Sequence, residues 1–99
     1  MKETLKLVTN FDVTNFDKLQ FVERNSFSNM KQAIVEYANG YGASIIIDDN
    51  SYGGLAGLYE IAVLGKNGEI VYNTPITNDV LGYLSEQEVT ETLIKIKNL

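Results

Sequence analysis

Met30-Lys31-Gln32-Ala33-Ile34-Val35-Glu36-Tyr37-Ala38-Asn39-Gly40-Tyr41-Gly42-Ala43-Ser44-Ile45-Ile46-Ile47 is the stretch whose reading decides the fold, because the hydrophobic period changes inside it. Met30, Ala33, Ile34, Tyr37 and Ala38 recur at i, i+3, i+4, i+7 and i+8, the spacing of one helix face. Ser28 stands where an N-cap belongs, and Gly40 stands where a left-handed residue ends a helix. Beyond Gly40-Tyr41-Gly42 the composition turns to Ser44-Ile45-Ile46-Ile47, short and β-branched, and Asp48-Asp49-Asn50-Ser51 stops it. The spacing predicts a helix followed by a strand.

Upstream, Phe16, Leu19 and Val22 step by three between Thr14 and Arg24, which predicts another helix capped by Thr14 or Asn15. Leu5 and Leu7, alternating with Lys6 and Val8, suit either a short strand or a ragged helix start. Downstream, Leu58 to Leu64 alternates as a strand, Gly65-Lys66-Asn67-Gly68 carries the Asn-Gly dipeptide of a type I′ hairpin turn, and Glu69-Ile70-Val71-Tyr72 returns. Pro75 ends the hairpin, and Thr77-Asn78-Asp79 caps a short helical turn through Val80, Leu81 and Leu84. Ser85-Glu86-Gln87-Glu88 is a capping box opening a helix from Glu86 to about Lys97, with glutamates at its positive end and Lys95 and Lys97 at its negative end. The resulting order is α-α-β-β-β-α. This predicts an α+β fold in a single domain over residues 1–99, with three or four antiparallel strands and helices mainly on one face.

Composition narrows the chemistry. The 99 residues include no His, no Cys and no Trp, with 13 Asp and Glu against 8 Lys and Arg. Without His or Cys the chain lacks the commonest general base, thiol nucleophiles and the usual zinc ligands. A net charge of −5 disfavours a polyanionic partner, so direct nucleic-acid binding is not expected. No run approaches the ~18 apolar residues of a membrane span, and the first residues do not read as a secretory signal, so the expected compartment is the cytoplasm. The acid is concentrated: Glu36 to Glu91 holds nine carboxylates and only Lys66, a net of −8, between two mildly basic ends.

Candidate sites follow from these patterns. From Asp49, a calcium-loop template places Ser51, Gly53, Gly54 and Glu60 at its third, fifth, sixth and twelfth positions. The match is partial, and this loop joins strands where a calcium loop joins helices, so a Gly-rich connection held by Asx bonds is the expectation. Gly53, Gly54 and Gly57 lead into a strand and so do not form a phosphate cradle. The serines have no histidine to activate them. No catalytic residue, metal or cofactor is expected, and the chain does not read as an enzyme. Six tyrosines remain: Tyr37 and Tyr59 fit core faces, whereas Tyr41, Tyr52 and Tyr83 lie beside glycines, where they either anchor a partner or cover the ends of a small core.

The segments Tyr52-Gly53-Gly54, Leu58-Tyr59-Glu60-Ile61-Ala62-Val63-Leu64 and Thr74-Pro75-Ile76-Thr77-Asn78-Asp79-Val80-Leu81-Gly82-Tyr83-Leu84 resemble short acidic proteins of phages and mobile elements of low-GC Gram-positive bacteria. The resemblance spans about two fifths of the chain (residues 52–89). It implies a host-directed inhibitor of anti-CRISPR or anti-restriction type that imitates the charge of DNA. The expectation is therefore a non-enzymatic binding protein that occupies a basic nucleic-acid-binding surface of a protein partner. Asp48, Asp49, Glu60, Glu69 and Asp79 would contact it, with Tyr52 as anchor. The alternative is a structural or regulatory module, homodimeric through a sheet edge or helix face, whose acidity serves solubility.

Overall fold

The computed structural model describes residues 10–99. The choice between strand and helix for Leu5 to Val8 lies outside the described residues. Among the described residues one six-stranded sheet carries a single α-helix: β1 Asn10–Phe11, β2 Val22–Asn25, β3 Met30–Glu36, β4 Gly42–Ile47, β5 Tyr59–Leu64, β6 Leu81–Leu84 and α1 Glu86–Lys97. Short 3-10 turns occupy Phe16–Lys18 and Gly54–Ala56. The class is α+β, as the composition of the elements predicts, but the order and strand count differ.

Three predicted helical segments are not α-helices. Met30 to Glu36 is a central strand, flanked by β4 on one side and by β1 and β2 on the other. The physical reason is visible at Val35, which falls outside the helical stripe yet is completely buried. At period two, Ala33, Val35 and Tyr37 all point to the core, opposite Ile45 and Ala43 of β4. Burial of three successive alternate residues outweighs a helical stripe that would leave Val35 in water. Thr14 to Arg24 contributes only the Phe16–Lys18 turn and then β2, and Ser28 lies in the β2–β3 connection instead of capping a helix. The Thr77–Leu84 segment supplies β6, paired antiparallel with β5.

Gly40 does take the left-handed conformation expected of it, φ +90°, but in a hairpin turn. The Gly40 N–H donates to Tyr37 O and the Tyr37 N–H to Tyr41 O. The turn at residues 65–69 repeats this pattern, Gly68 N–H to Gly65 O and Gly65 N–H to Glu69 O, with Gly68 at φ +83°. Asn67 does not have positive φ, so both are three-residue loops closed by a left-handed glycine, and the expected type I′ turn is absent there. The strand predicted for Glu69 to Tyr72 reduces to a single bridge, Leu64 with Ile70.

The sheet is mixed where an antiparallel one was expected. β1 runs parallel to the end of β3, while β2 runs antiparallel to its beginning, so two short strands share one edge of β3. Asn10 joins them. Its buried amide donates to Ile34 O (3.0 Å) and Gln20 O (3.2 Å), and its Oδ1 accepts from the Gln20 N–H (2.7 Å), satisfying backbone groups at the edge where neither strand continues. Tyr37 fixes the same corner, its hydroxyl donating to Val13 O at 2.7 Å.

Helix α1 lies across one face, burying Val89, Leu93 and Ile96 against Ile45, Ile61, Val35 and Val63. Ser85 and Glu88 form the predicted capping box. At the other end Asn39, in the β3–β4 turn, donates to the carbonyls of Ile96 and Lys97, both at 3.0 Å. Both helix ends are thus tied down.

Two outcomes test this account. Asn10→Leu leaves the Gln20 and Ile34 backbone groups unpaired, so a loss of about 2–4 kcal/mol is expected in urea unfolding; a change under about 0.5 kcal/mol would refute the clasp. Burial, and secondarily the charge of Asp12, pushes the Tyr37 phenol well above its ordinary value near 10. The folded state therefore binds this proton more tightly than the unfolded chain. Its contribution is complete below pH ~10 and falls by up to about 1.4 kcal/mol per pH unit above that. Chemical denaturation between pH 8 and ~11.5 should show a shallower loss for Tyr37→Phe than for the parent protein.

Candidate functional site

Antiparallel β4 and β5 bring the Asp48–Leu58 connection to one end of the sheet, beside the β2–β3 turn. The Asp49 N–H donates to Ser28 O (2.9 Å), the Ser28 hydroxyl to Asp48 Oδ2 (3.2 Å), and the Asn29 amide to Asp49 Oδ2 (3.3 Å). Asp48 Oδ1 accepts from the Asn50 N–H at 2.7 Å, and the Ser51 hydroxyl bridges Asp48's own N–H and carbonyl. This is the Asx-held connection expected from the sequence, now clasped to a second loop. The residues of the calcium template are engaged elsewhere: Asp49 with Asn29, Ser51 with Asp48, and Glu60 with the Tyr52 N–H at 3.1 Å. Among the described residues no three carboxylates gather as a metal would require.

Four of the six residues expected to contact a partner converge here: Asp48, Asp49, Tyr52 and Glu60. Glu69 does not join them. It closes the turn at the other end of β5, accepting from the Asn67 N–H (3.1 Å), about five residues or ~17 Å of strand from Glu60. Asp79 precedes β6, whose Leu81 pairs with Ile61 and whose Leu84 pairs with Tyr59, so it lies toward the far end as well. The −8 segment is therefore divided between the two ends of the sheet. Among the described residues the one salt bridge is Lys97 with Asp12, so Asp48, Asp49 and Glu60 have no lysine or arginine paired with them there.

The same end exposes large apolar side chains. Tyr52 is 60% exposed, Tyr83 63%, Leu55 82% and Phe27 97%. Tyr52 and Tyr83 lie together with ring centroids 6.5 Å apart and planes at 37°, and the Tyr83 N–H donates to Tyr52 O. The backbone holds the pair closely. A Cβ on Gly82 would come within 2.5 Å of Tyr52 Cβ, and one on Gly53 within 2.9 Å of Tyr83 Cα. Tyr83 itself has φ +57°, a left-handed conformation unusual for an aromatic residue, at the irregularity between β5 and β6. Asp49, Leu55 and Tyr83 line one shallow hollow.

Leu55 and Phe27 were not among the expected contact residues, and Tyr83, for which anchoring a partner and covering the core were both open, is exposed. Tyr41, which also lies beside glycine, packs against the core instead, as do Tyr37 and Tyr59. Phe16, Phe21 and Tyr59 form an aromatic trio with centroids 5.0–5.8 Å apart, one pair edge-on and two tilted. Burial and then Glu86 raise the Tyr59 phenol above its ordinary value. These rings are partly buried against the core; Phe11 and Tyr72, toward the other end of the sheet, are exposed singly, whereas Tyr52 and Tyr83 are exposed as a pair.

No family model, curated protein or solved structure matches the chain. No helix among the described residues is long and apolar enough to cross a membrane.

The packing of the tyrosine pair has a direct consequence. Gly82→Ala should displace Tyr52 and cost about 1–3 kcal/mol. Tyr83→Asn, which accepts the left-handed backbone readily, should match the parent within about 0.5 kcal/mol or exceed it. Urea midpoints check both; an alanine at 82 as stable as the glycine would show that the pair is not held by this contact.

Proposed function

We propose that this protein is a non-enzymatic binding protein whose loop end occupies a basic, nucleic-acid-binding surface of a protein partner. The observation that carries the reading is the exposed Tyr52–Tyr83 pair set beside Asp48, Asp49 and Glu60. Aromatic side chains at low entropic cost are the usual anchors of protein interfaces, and carboxylates around them that pair with no lysine or arginine among the described residues draw a basic surface. The backbone contact that sets the two tyrosines side by side supports recognition, because it reduces the ordering left for binding. The resemblance to phage and mobile-element proteins supports a host-directed inhibitor acting in the cytoplasm on a nucleic-acid-handling enzyme. Occupation of the channel, without chemistry, is its mechanism.

The separation of Glu69 and Asp79 from the loop end sharpens the proposal. A full-length imitation of a phosphate track would use both ends of the sheet, whereas a compact contact uses one. Displacement of DNA from purified restriction or CRISPR nucleases of the native host tests this. The expected result is inhibition that weakens steeply from ~50 to ~300 mM salt. Asp49→Lys with Glu60→Lys should lower it at least about tenfold, and Glu69→Lys should leave it within about twofold. Equal sensitivity at both ends would restore the extended phosphate mimic, and undiminished inhibition by the double reversal would overturn the charge argument.

A further inference from the structure

Resting on that reading, we infer that the Tyr52–Tyr83 pair and the carboxylates beside it form a recognition site for an arginine side chain of the partner. Three features converge on this chemistry. The two rings lie 6.5 Å apart and more than half exposed, so a planar cation placed ~4 Å above the line joining their centres is about 5 Å from both. That distance is inside the reach of a cation–π interaction with each ring. Carboxylates adjoin both tyrosines: Glu60 accepts from the Tyr52 N–H, and Asp49 lines one shallow hollow with Tyr83 and Leu55. Leu55, 82% exposed, offers an apolar wall for the methylene stem of a long side chain.

Arginine fits this arrangement better than lysine. Its guanidinium is flat, weakly hydrated and able to stack on an aromatic face while its edge donates two parallel hydrogen bonds to a carboxylate. An ammonium is a compact, strongly hydrated point charge and gains less from the rings. Glycines set the spacing of the site: Gly53 and Gly82 permit a close approach of the two segments that any Cβ would prevent. The tyrosines are therefore positioned before a ligand arrives.

Titration with nona-arginine and nona-lysine peptides at ~150 mM salt, followed by backbone amide NMR, tests the inference. Nona-arginine is expected to bind about threefold to fivefold more tightly than nona-lysine, with the largest shifts at residues 49–60 and 82–83. In Tyr83→Asn, and independently in Tyr52→Leu, with folding verified from the amide spectrum, the preference should fall below about twofold while nona-lysine affinity stays constant. Equal binding of both peptides by the parent protein, or an arginine preference that survives both substitutions, overturns the arginine site and leaves the acidic binding surface standing. Binding of neither peptide overturns the acidic binding surface as well.

Discussion

The structure depends on one helix packed over the core-facing rows of the three central strands. Ala33 opposite Ile45 opposite Ile61, and Val35 opposite Ala43 opposite Val63, make two rows across β3, β4 and β5 beneath Val89, Leu93 and Ile96. A slip of one residue in any of these pairings would turn its apolar set to the other face, so the register is held by burial itself. Small residues in the rows, Ala33 and Ala43, leave room for the helix, and Gly42 lies so close to the Val35 carbonyl that a side chain there would not fit. With so small a core, the helix must be secured at both ends: the capping box of Ser85 and Glu88 does so at one, and the Asn39 amide at the other.

This construction separates the two ends of the molecule by chemistry. The β3–β4 turn and the turn after β5 are tight, three-residue loops closed by glycine. At the opposite end the long β4–β5 connection and the β2–β3 turn clasp each other through Asp48, Asp49, Ser28 and Asn29. The carboxylates thus act first as loop-building groups, and the charge they carry is a second consequence of the same residues. Stabilising a loop with aspartates that find no basic partner among the described residues leaves a negative field where Tyr52, Tyr83, Leu55 and Phe27 are exposed. Structural and recognition roles coincide here.

Left-handed backbone at Tyr83 is the unusual feature of the site. A tyrosine adopts it at a cost that asparagine or glycine would largely avoid. The conformation turns the ring out beside Tyr52 at the edge strand, and it interrupts the ladder between β5 and β6. The same interruption makes β6 a poor template for another strand, which protects an otherwise open sheet edge.

The amino-acid sequence by itself determined the local elements whose signals do not depend on neighbours. The C-terminal helix and its capping box, the strand read as Leu58 to Leu64 and found at Tyr59–Leu64, the β-branched run stopped by Asp48 and the left-handed glycines at 40 and 68 are of this kind. Asn39-Gly40 is the same dipeptide as Asn67-Gly68, and both close hairpins, yet the apolar spacing before Gly40 fits a helix equally well. Only the tertiary structure decided between them, because burying Val35 with Ala33 and Tyr37 requires β4 on one side and α1 above. The same holds for the surface. Sequence located the acid between residues 36 and 91, but distance along a chain does not give distance in space. Folding brought Asp48, Asp49, Tyr52 and Glu60 to one end with Tyr83, and carried Glu69 to the other.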